Sequence, residues 1–331
     1  MVGRAWVIAL AISATPVSFL PLHGQDRPHQ NLQVLPQDIS SDELGDTMLG
    51  FLRSLGLPRR GGEGCLHCHT GDLDQPRSEW DWAADDKPAK RTARQMISMV
   101  RAINDEYLAG LQNRHAPDLE VGCATCHRGR VDPRPLPDVL SASYAAGGAD
   151  SVATVYRSLH RRYFGSDAYD FRVSVLSGMA AGLAAVDEYD DALAISALNE
   201  ETHRTDAVAR RSTLGLMLQR TLDEEGPAAT LRQFEQIRSQ EARGVANYSL
   251  LDGLGWRTFR LDRPEDALPL FRANREVFPD LYFTFESLTE ALYSAGETSL
   301  GEAMAAYEGW LEDHPGHEMA QVQLRNLQRI R

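Results

Sequence analysis

Cys65-Leu66-His67-Cys68-His69 and Cys123-Ala124-Thr125-Cys126-His127 are two copies of C-x-x-C-H, and together they use all four cysteines of the chain. The pattern reads as c-type haem attachment. Two thiols about one helical turn apart can bond the two vinyl groups of a porphyrin, and the histidine that follows falls beneath the iron as proximal ligand. A four-cysteine zinc site also accepts two C-x-x-C pairs, but its pairs usually lie ~15 to 20 residues apart. Here 54 residues separate them, and zinc gives no reason for a histidine after each pair. A thioredoxin-like redox pair needs a βαβ setting, and neither flank alternates as a strand does. A disulfide across two residues closes a tight, strained ring. The reading is therefore two covalently attached haem c groups, anchored by Cys65, Cys68, Cys123 and Cys126, with His69 and His127 as iron ligands.

Upstream of each motif the apolar residues fall at helical spacing and include methionine. The first helix opens on a capping box, Ser40 to Glu43, and runs through Leu44, Met48, Phe51, Leu52 and Leu55. The second has Asp86 as candidate N-cap and Pro88 in its first turn, and continues through Met96, Met99, Val100, Ile103, Tyr107 and Leu111. A thioether above the ring with histidine below raises the reduction potential and suits electron transfer. Methionine on an apolar stripe is also ordinary core filling. Met48 is the candidate at the first site, and Met96 or Met99, one turn apart, at the second. His67 and His115 are the imidazole competitors. Lys87 and Lys90, the only lysines of the chain, stand with Arg91 and Arg94 at the start of the second helix. They can either neutralise haem propionates or form a solvated face. Trp80 and Trp82 beside them read as packing against a haem edge.

The stretch from Asn31 to Arg130 resembles two haem segments of the cytochrome subunit of photosynthetic reaction centres. The resemblance rests on NLQVLPQDIS, Met48 before CLHCH, DDKPAKRTARQMISMVRAIN and VGCATCHRG. In that family each haem segment is a helix, a turn and C-x-x-C-H, with the sixth-ligand methionine on the preceding helix. The resemblance thus implies Met48 as ligand to the haem of His69, and Met96 rather than Met99 to that of His127. Family members of the reaction-centre type carry four haems against two motifs here. Where they place a histidine ligand to a distant haem, this chain has Gly110, and the lipidated N-terminal cysteine of many members is absent.

Residues 1–24 carry one charge, Arg4, ahead of the apolar run Ala5 to Leu22, and the chain turns polar at Gln25. That is the layout of a secretory signal peptide. Pro16 and Pro21 interrupt the run and no basic stop-transfer cluster follows, so an uncleaved spanning anchor is the weaker reading. The expectation is an exported, periplasmic protein. With 34 basic and 47 acidic side chains in 331 residues, the formal charge is −13. That charge removes the electrostatic basis for nucleic-acid binding and disfavours an anionic membrane surface.

After the segment Asp132-Pro133-Arg134-Pro135-Leu136-Pro137 the chain becomes rich in Ala and Leu. Ala267, Phe271 and Pro279 recur 36 residues later as Ala303, Tyr307 and Pro315, and Gly255 lies twelve before Ala267. This period is close to the 34 of tetratricopeptide repeats, which the region resembles. About four helical hairpins from Ser151 to His314 and a closing helix from Glu318 are expected. The alternative is an irregular helical bundle with one duplicated hairpin. Residues 141–331 hold 19 basic and 29 acidic side chains, a net −10.

The sequence thus predicts an all-α chain divided into a signal peptide (1–24), a di-haem cytochrome c domain (28–131), a Pro-containing linker (132–150) and a tetratricopeptide-like repeat domain (151–331). Its expected role is electron transfer between a redox donor and an acceptor protein rather than catalysis on a substrate. The repeats would dock a protein partner, and the same reading extends to association with a membrane electron-transfer complex. The rivals are a di-haem peroxidase, which needs one iron with an open or displaceable sixth position, and a repeat-based assembly module whose haems are sensory or structural. Candidate methionines at both sites, and motifs only 58 residues apart, weigh against the peroxidase.

Overall fold

The computed structural model describes residues 29–112, 119–242 and 244–330. The expected signal peptide and His115 lie outside the described residues. Among those residues the regular structure is helical, with one isolated antiparallel bridge between Thr70 and Asp81. The chain divides into two compact units, Met1–Pro133 and Arg134–Arg331.

In the first unit, helix α1 spans Ser41–Leu55 and begins at the expected capping box. Ser40 Oγ accepts from the Glu43 amide at 3.3 Å, and Glu43 Oε2 accepts from the Ser40 amide at 3.1 Å, so two end donors are satisfied reciprocally. It ends at Gly56, whose left-handed φ of 65° closes the last turn. Helix α2 spans Pro88–Ala102. Its N-cap is Lys87 rather than Asp86: Lys87 has the extended backbone that precedes a helix, and Pro88, with φ already fixed, takes the first helical position. Beyond Ala102 the chain continues as one π-helical stretch, Ile103–Leu108, instead of a longer α-helix. The short helix α3, Cys123–His127, carries the second motif, whereas the first motif lies in a 3₁₀ turn, Cys65–His67.

The second unit opens with α4, Leu136–Tyr163, broken inside at Gly147 and Gly148. The segment expected to be a linker is therefore mostly helical. Pro135 is the N-cap and Pro137 sits in the first turn, where a missing amide costs nothing, and Leu136 and Leu140 are buried. Proline there marks a helix start, which composition alone does not distinguish from a linker. Four antiparallel pairs follow: α5 (Val173–Ala184) with α6 (Tyr189–Thr202), α7 (Ala207–Glu225) with α8 (Pro227–Gln240), α9 (Tyr248–Arg260) with α10 (Pro264–Val277), and α11 (Tyr282–Ser294) with α12 (Leu300–Asp313). Helix α13, Glu318–Ile330, packs on α12.

Each pair buries its apolar stripe against the next. Tyr156, Leu176 and Ile195 centre one cluster, Leu218, Phe234 and Leu251 a second, and Ala267 and Phe271 a third. Within the α9–α10 hairpin, a Cβ on Gly255 would stand 2.8 Å from the Phe271 ring, so the small residue lets the two helices close. Ala303 and Tyr307, the copies of Ala267 and Phe271 in the repeat, are likewise buried on α12.

Candidate haem-binding site

The 3₁₀ turn of the first motif and α1 face a common cavity of about 650 Å³, a size typical of cofactor sites. Met48, Phe51 and Leu55 of α1 line it together with Cys65, Cys68 and His69. The periodicity that placed Met48 on the apolar face of α1 thus brings it to the same cavity as the thiols and the imidazole. Trp80 and Trp82 also line it, and the Trp80 indole is almost wholly buried while donating to the Asp72 carbonyl at 2.8 Å. Gly62 and Gly71 make room for that indole, since a Cβ on either would come within 3 Å of its ring. His67 is absent from the cavity wall.

The His69 ring is fixed by its main-chain contact. Nδ1 lies 3.1 Å from the Trp82 carbonyl oxygen, and a carbonyl only accepts, so Nδ1 carries the proton and Nε2 keeps its lone pair for a metal. The ring also meets the Trp82 indole edge-on, with centroids 5.1 Å apart. Burial holds the His69 pKa below its ordinary value; the Trp82 carbonyl opposes this, and the charges of Lys90 and Arg94 add to it. The neutral imidazole that an iron needs is the favoured form. Burial raises the Cys68 thiol pKa, and Lys90 works against that rise.

Helix α2, which carries the methionines assigned to the second site, also contributes Lys90, Ala93, Arg94 and Ile97 to the first cavity. Asp85 accepts from Arg94 at 2.8 Å and stands 3.6 Å from Lys90 Nζ. The Arg94 hydrogen bond and one from Asn31 hold the Asp85 carboxyl well below the usual carboxylate range. Burial lowers the Lys90 pKa, and Asp85 opposes that shift. Arg91 bonds the carbonyls of Asp85 and Asp86. The basic cluster therefore secures the 81–86 loop, with Lys90 and Arg94 also facing the cavity.

Around the second motif, His127 Nδ1 lies 2.8 Å from the Arg130 carbonyl, which again assigns the proton to Nδ1 and leaves Nε2 for a metal. The approach to the motif is clamped by Asn104 in the π-helical stretch: its Nδ2 donates to the Val121 carbonyl at 2.9 Å and its Oδ1 accepts from the Val121 amide at 2.8 Å. Met96 and Met99 are 37% and 44% exposed, and neither lines the first cavity. Exposure does not separate them as candidates. The Trp82 and Arg130 carbonyls and the Asn104 clamp had no signal in motif spacing, because two are main-chain acceptors and the third depends on a local widening of the helix.

The residues present fit a c-type haem at the first motif: two thiols, an imidazole with a free Nε2 and a thioether meet at one apolar cavity. Comparison with known proteins points the same way. Residues 23–149 match the family described as the photosynthetic reaction centre cytochrome C subunit. The match ends within α4, close to its Gly147–Gly148 break. The photosynthetic reaction center cytochrome c subunit of Thermochromatium tepidum is 35% identical over 132 residues. That alignment covers 38% of this chain and 28% of the relative, so the chain spans well under half of the relative's length. The N-terminal unit, with both C-x-x-C-H motifs, is thus the part of the chain that resembles the reaction-centre cytochrome c family.

Proposed function

We propose that the chain is an exported two-haem c-type cytochrome that passes electrons between protein partners in the periplasm. Cys65 and Cys68 anchor the first haem, and Cys123 and Cys126 the second. His69 and His127 are the proximal ligands, with Met48 and Met96 as distal ones. The observation that carries this reading is the single cavity that Met48, Cys65, Cys68 and His69 line together, with the His69 ring aimed by the Trp82 carbonyl. When bound, a haem supplies a one-electron iron couple. The residues around it hold the imidazole in one tautomer, place a thioether at the cavity and exclude water with Trp80, Phe51 and Leu55. No bond of a substrate needs to be made or broken for such a role.

The helical hairpins, with their excess of acidic side chains, dock a protein partner on this reading. The T. tepidum relative's name places it in a reaction centre, which supports association with a membrane electron-transfer complex as the setting. The test is maturation in a host that attaches haem during export, followed by acid-acetone extraction and mass analysis. Two haems that stay with the polypeptide, one on each pair of cysteines, are expected. Complete loss of haem on extraction, or stoichiometric zinc in its place, overturns the proposal.

A further inference from the structure

The Trp82 carbonyl oxygen has two donors. His69 Nδ1 approaches it at 3.1 Å, and Lys90 Nζ at 2.8 Å. Lys90 is locked in that position: it also donates to the Ala84 carbonyl at 2.8 Å, and Asp85 lies 3.6 Å away. Arg94 pairs with the same Asp85 at 2.8 Å. Two cations thus share one carboxylate beside the His69 ring, with the Asp81 carboxylate turned to the amides of Ala83 and Ala84.

We propose that Lys90 is a positioning and tuning residue for the first haem, raising its reduction potential through the carbonyl it shares with His69. The inference rests on the reading that His69 ligates that haem. An acceptor already engaged by an ammonium, in the shorter and charge-assisted bond, has less electron density to offer a second donor. Nδ1 then keeps more of its proton, the ring gains less imidazolate character, and it donates less strongly to the iron. A stronger acceptor at Nδ1 would do the reverse, raising ligand basicity and favouring the ferric state. The other motif is an internal reference. His127 donates to a different carbonyl, that of Arg130, at 2.8 Å, shorter than the His69 contact to Trp82.

The experiment compares the full-length, haem-loaded protein with Lys90→Met and Lys90→Arg, using redox titration and proton NMR of the ferrous state. At a fixed ambient potential, Lys90→Met should lower the ferrous-to-ferric ratio of the first haem by about three- to tenfold, tenfold being about 59 mV for one electron. The second haem should not change. The His69 Nδ1–H resonance should move downfield as its hydrogen bond strengthens, and Lys90→Arg should restore both readouts. An unmoved ratio overturns the inference. A lowered ratio with an unmoved Nδ1–H resonance also overturns it, because charge neutralisation at a propionate then accounts for the effect. If Lys90→Met does not load haem, Lys90→Ala, which likewise removes both the N–H donor and the charge, is judged by the same criteria. Peptide mapping that finds no haem on Cys65 and Cys68 of the unaltered protein refutes the haem reading itself, a separate outcome.

Discussion

The Gly129 amide donates to the Ser54 carbonyl at 2.9 Å, joining the last turn of the Met48 helix to the residues just after the second C-x-x-C-H motif. The approach is so close that a Cβ on Gly56 would lie 2.0 Å from the Gly129 carbonyl oxygen. Gly56 also has φ of 65°, where an L side chain is strained by roughly 1–2 kcal/mol. Because the obstructing atom is main chain, no rotamer change relieves it. Gly56→Ala should therefore part α1 from α3, lowering stability by more than the backbone strain alone and reducing haem loading at both motifs. Thermal denaturation and haem-to-protein absorbance check this, and a variant with unchanged loading and midpoint contradicts it.

The distal ligands proposed for the two motifs give a second prediction. Replacing a thioether by imidazole lowers a haem potential while keeping the iron low-spin. Met48→His and Met96→His should each lower one of two potentials and leave the other in place. Met99→Leu should change little. If Met99→Leu instead removes a methionine-ligand signal from the NMR spectrum, Met99 is the second distal ligand and Met96 is not.

Much of this candidate site was legible because the covalent attachment proposed for it would constrain sequence so tightly. The spacing of Cys65, Cys68 and His69 is the one a covalently held porphyrin asks for, and the heptad-like placing of Met48 with Leu44, Phe51 and Leu55 follows from helix geometry. Ser40 and Glu43 marked the start of α1 because a capping box is a local side-chain pattern. Long-range contacts made by main-chain atoms left no such trace. Nothing in the residue types predicts that the Trp82 carbonyl receives His69, or that Lys90 and Arg94 of the second methionine helix face the first cavity. The Pro135–Pro137 segment is ambiguous for a related reason, since proline favours both linkers and the first turn of helices, and only the burial of Leu136 and Leu140 decides between them.

The helical hairpins contain an ionic cluster whose contribution depends on pH. Burial pushes the Asp223 carboxyl upward, but hydrogen bonds from Tyr189 and Arg263 and the charge of Arg257 outweigh it, leaving the pKa below its ordinary value. Arg263 reaches it at 2.8 Å and Arg257 at 3.2 Å. A carboxyl whose folded pKa is depressed stabilises the fold above its unfolded pKa of about 3.9, and that contribution is lost as pH falls through the folded value. Asp223→Asn should thus cost about 1.5–3 kcal/mol near neutral pH, the range for hydrogen bonds to charged groups. Urea unfolding at pH 7 and pH 3 measures it. A difference between the two proteins that is as large at pH 3 as at pH 7 would rule out an ionic origin.

The division of the chain after Pro133 predicts a division of labour. Both C-x-x-C-H motifs, both methionine helices and the Asn104 clamp precede it, while α4 and the hairpins follow. A cut at Asp138 would leave the first turn of α4, with Leu136 stripped of the buried partners in its own unit. A chain ended after Pro133 is the cleaner test. It should retain both haems with nearly unchanged potentials. Stacked helical hairpins commonly present an extended surface to other proteins, and residues 141–331 carry a net charge of −10. A basic partner should therefore associate faster with the full chain at low ionic strength and lose that advantage as salt shortens the field to ~8–10 Å. Pull-down from periplasmic extract, followed by association kinetics at two salt concentrations, compares the two chains. The shortened one should keep its haems and fail to capture the partner. Capture by both chains alike would place docking on the haem unit, and loss of haem from the shortened chain would show that the helical hairpins are needed to hold it.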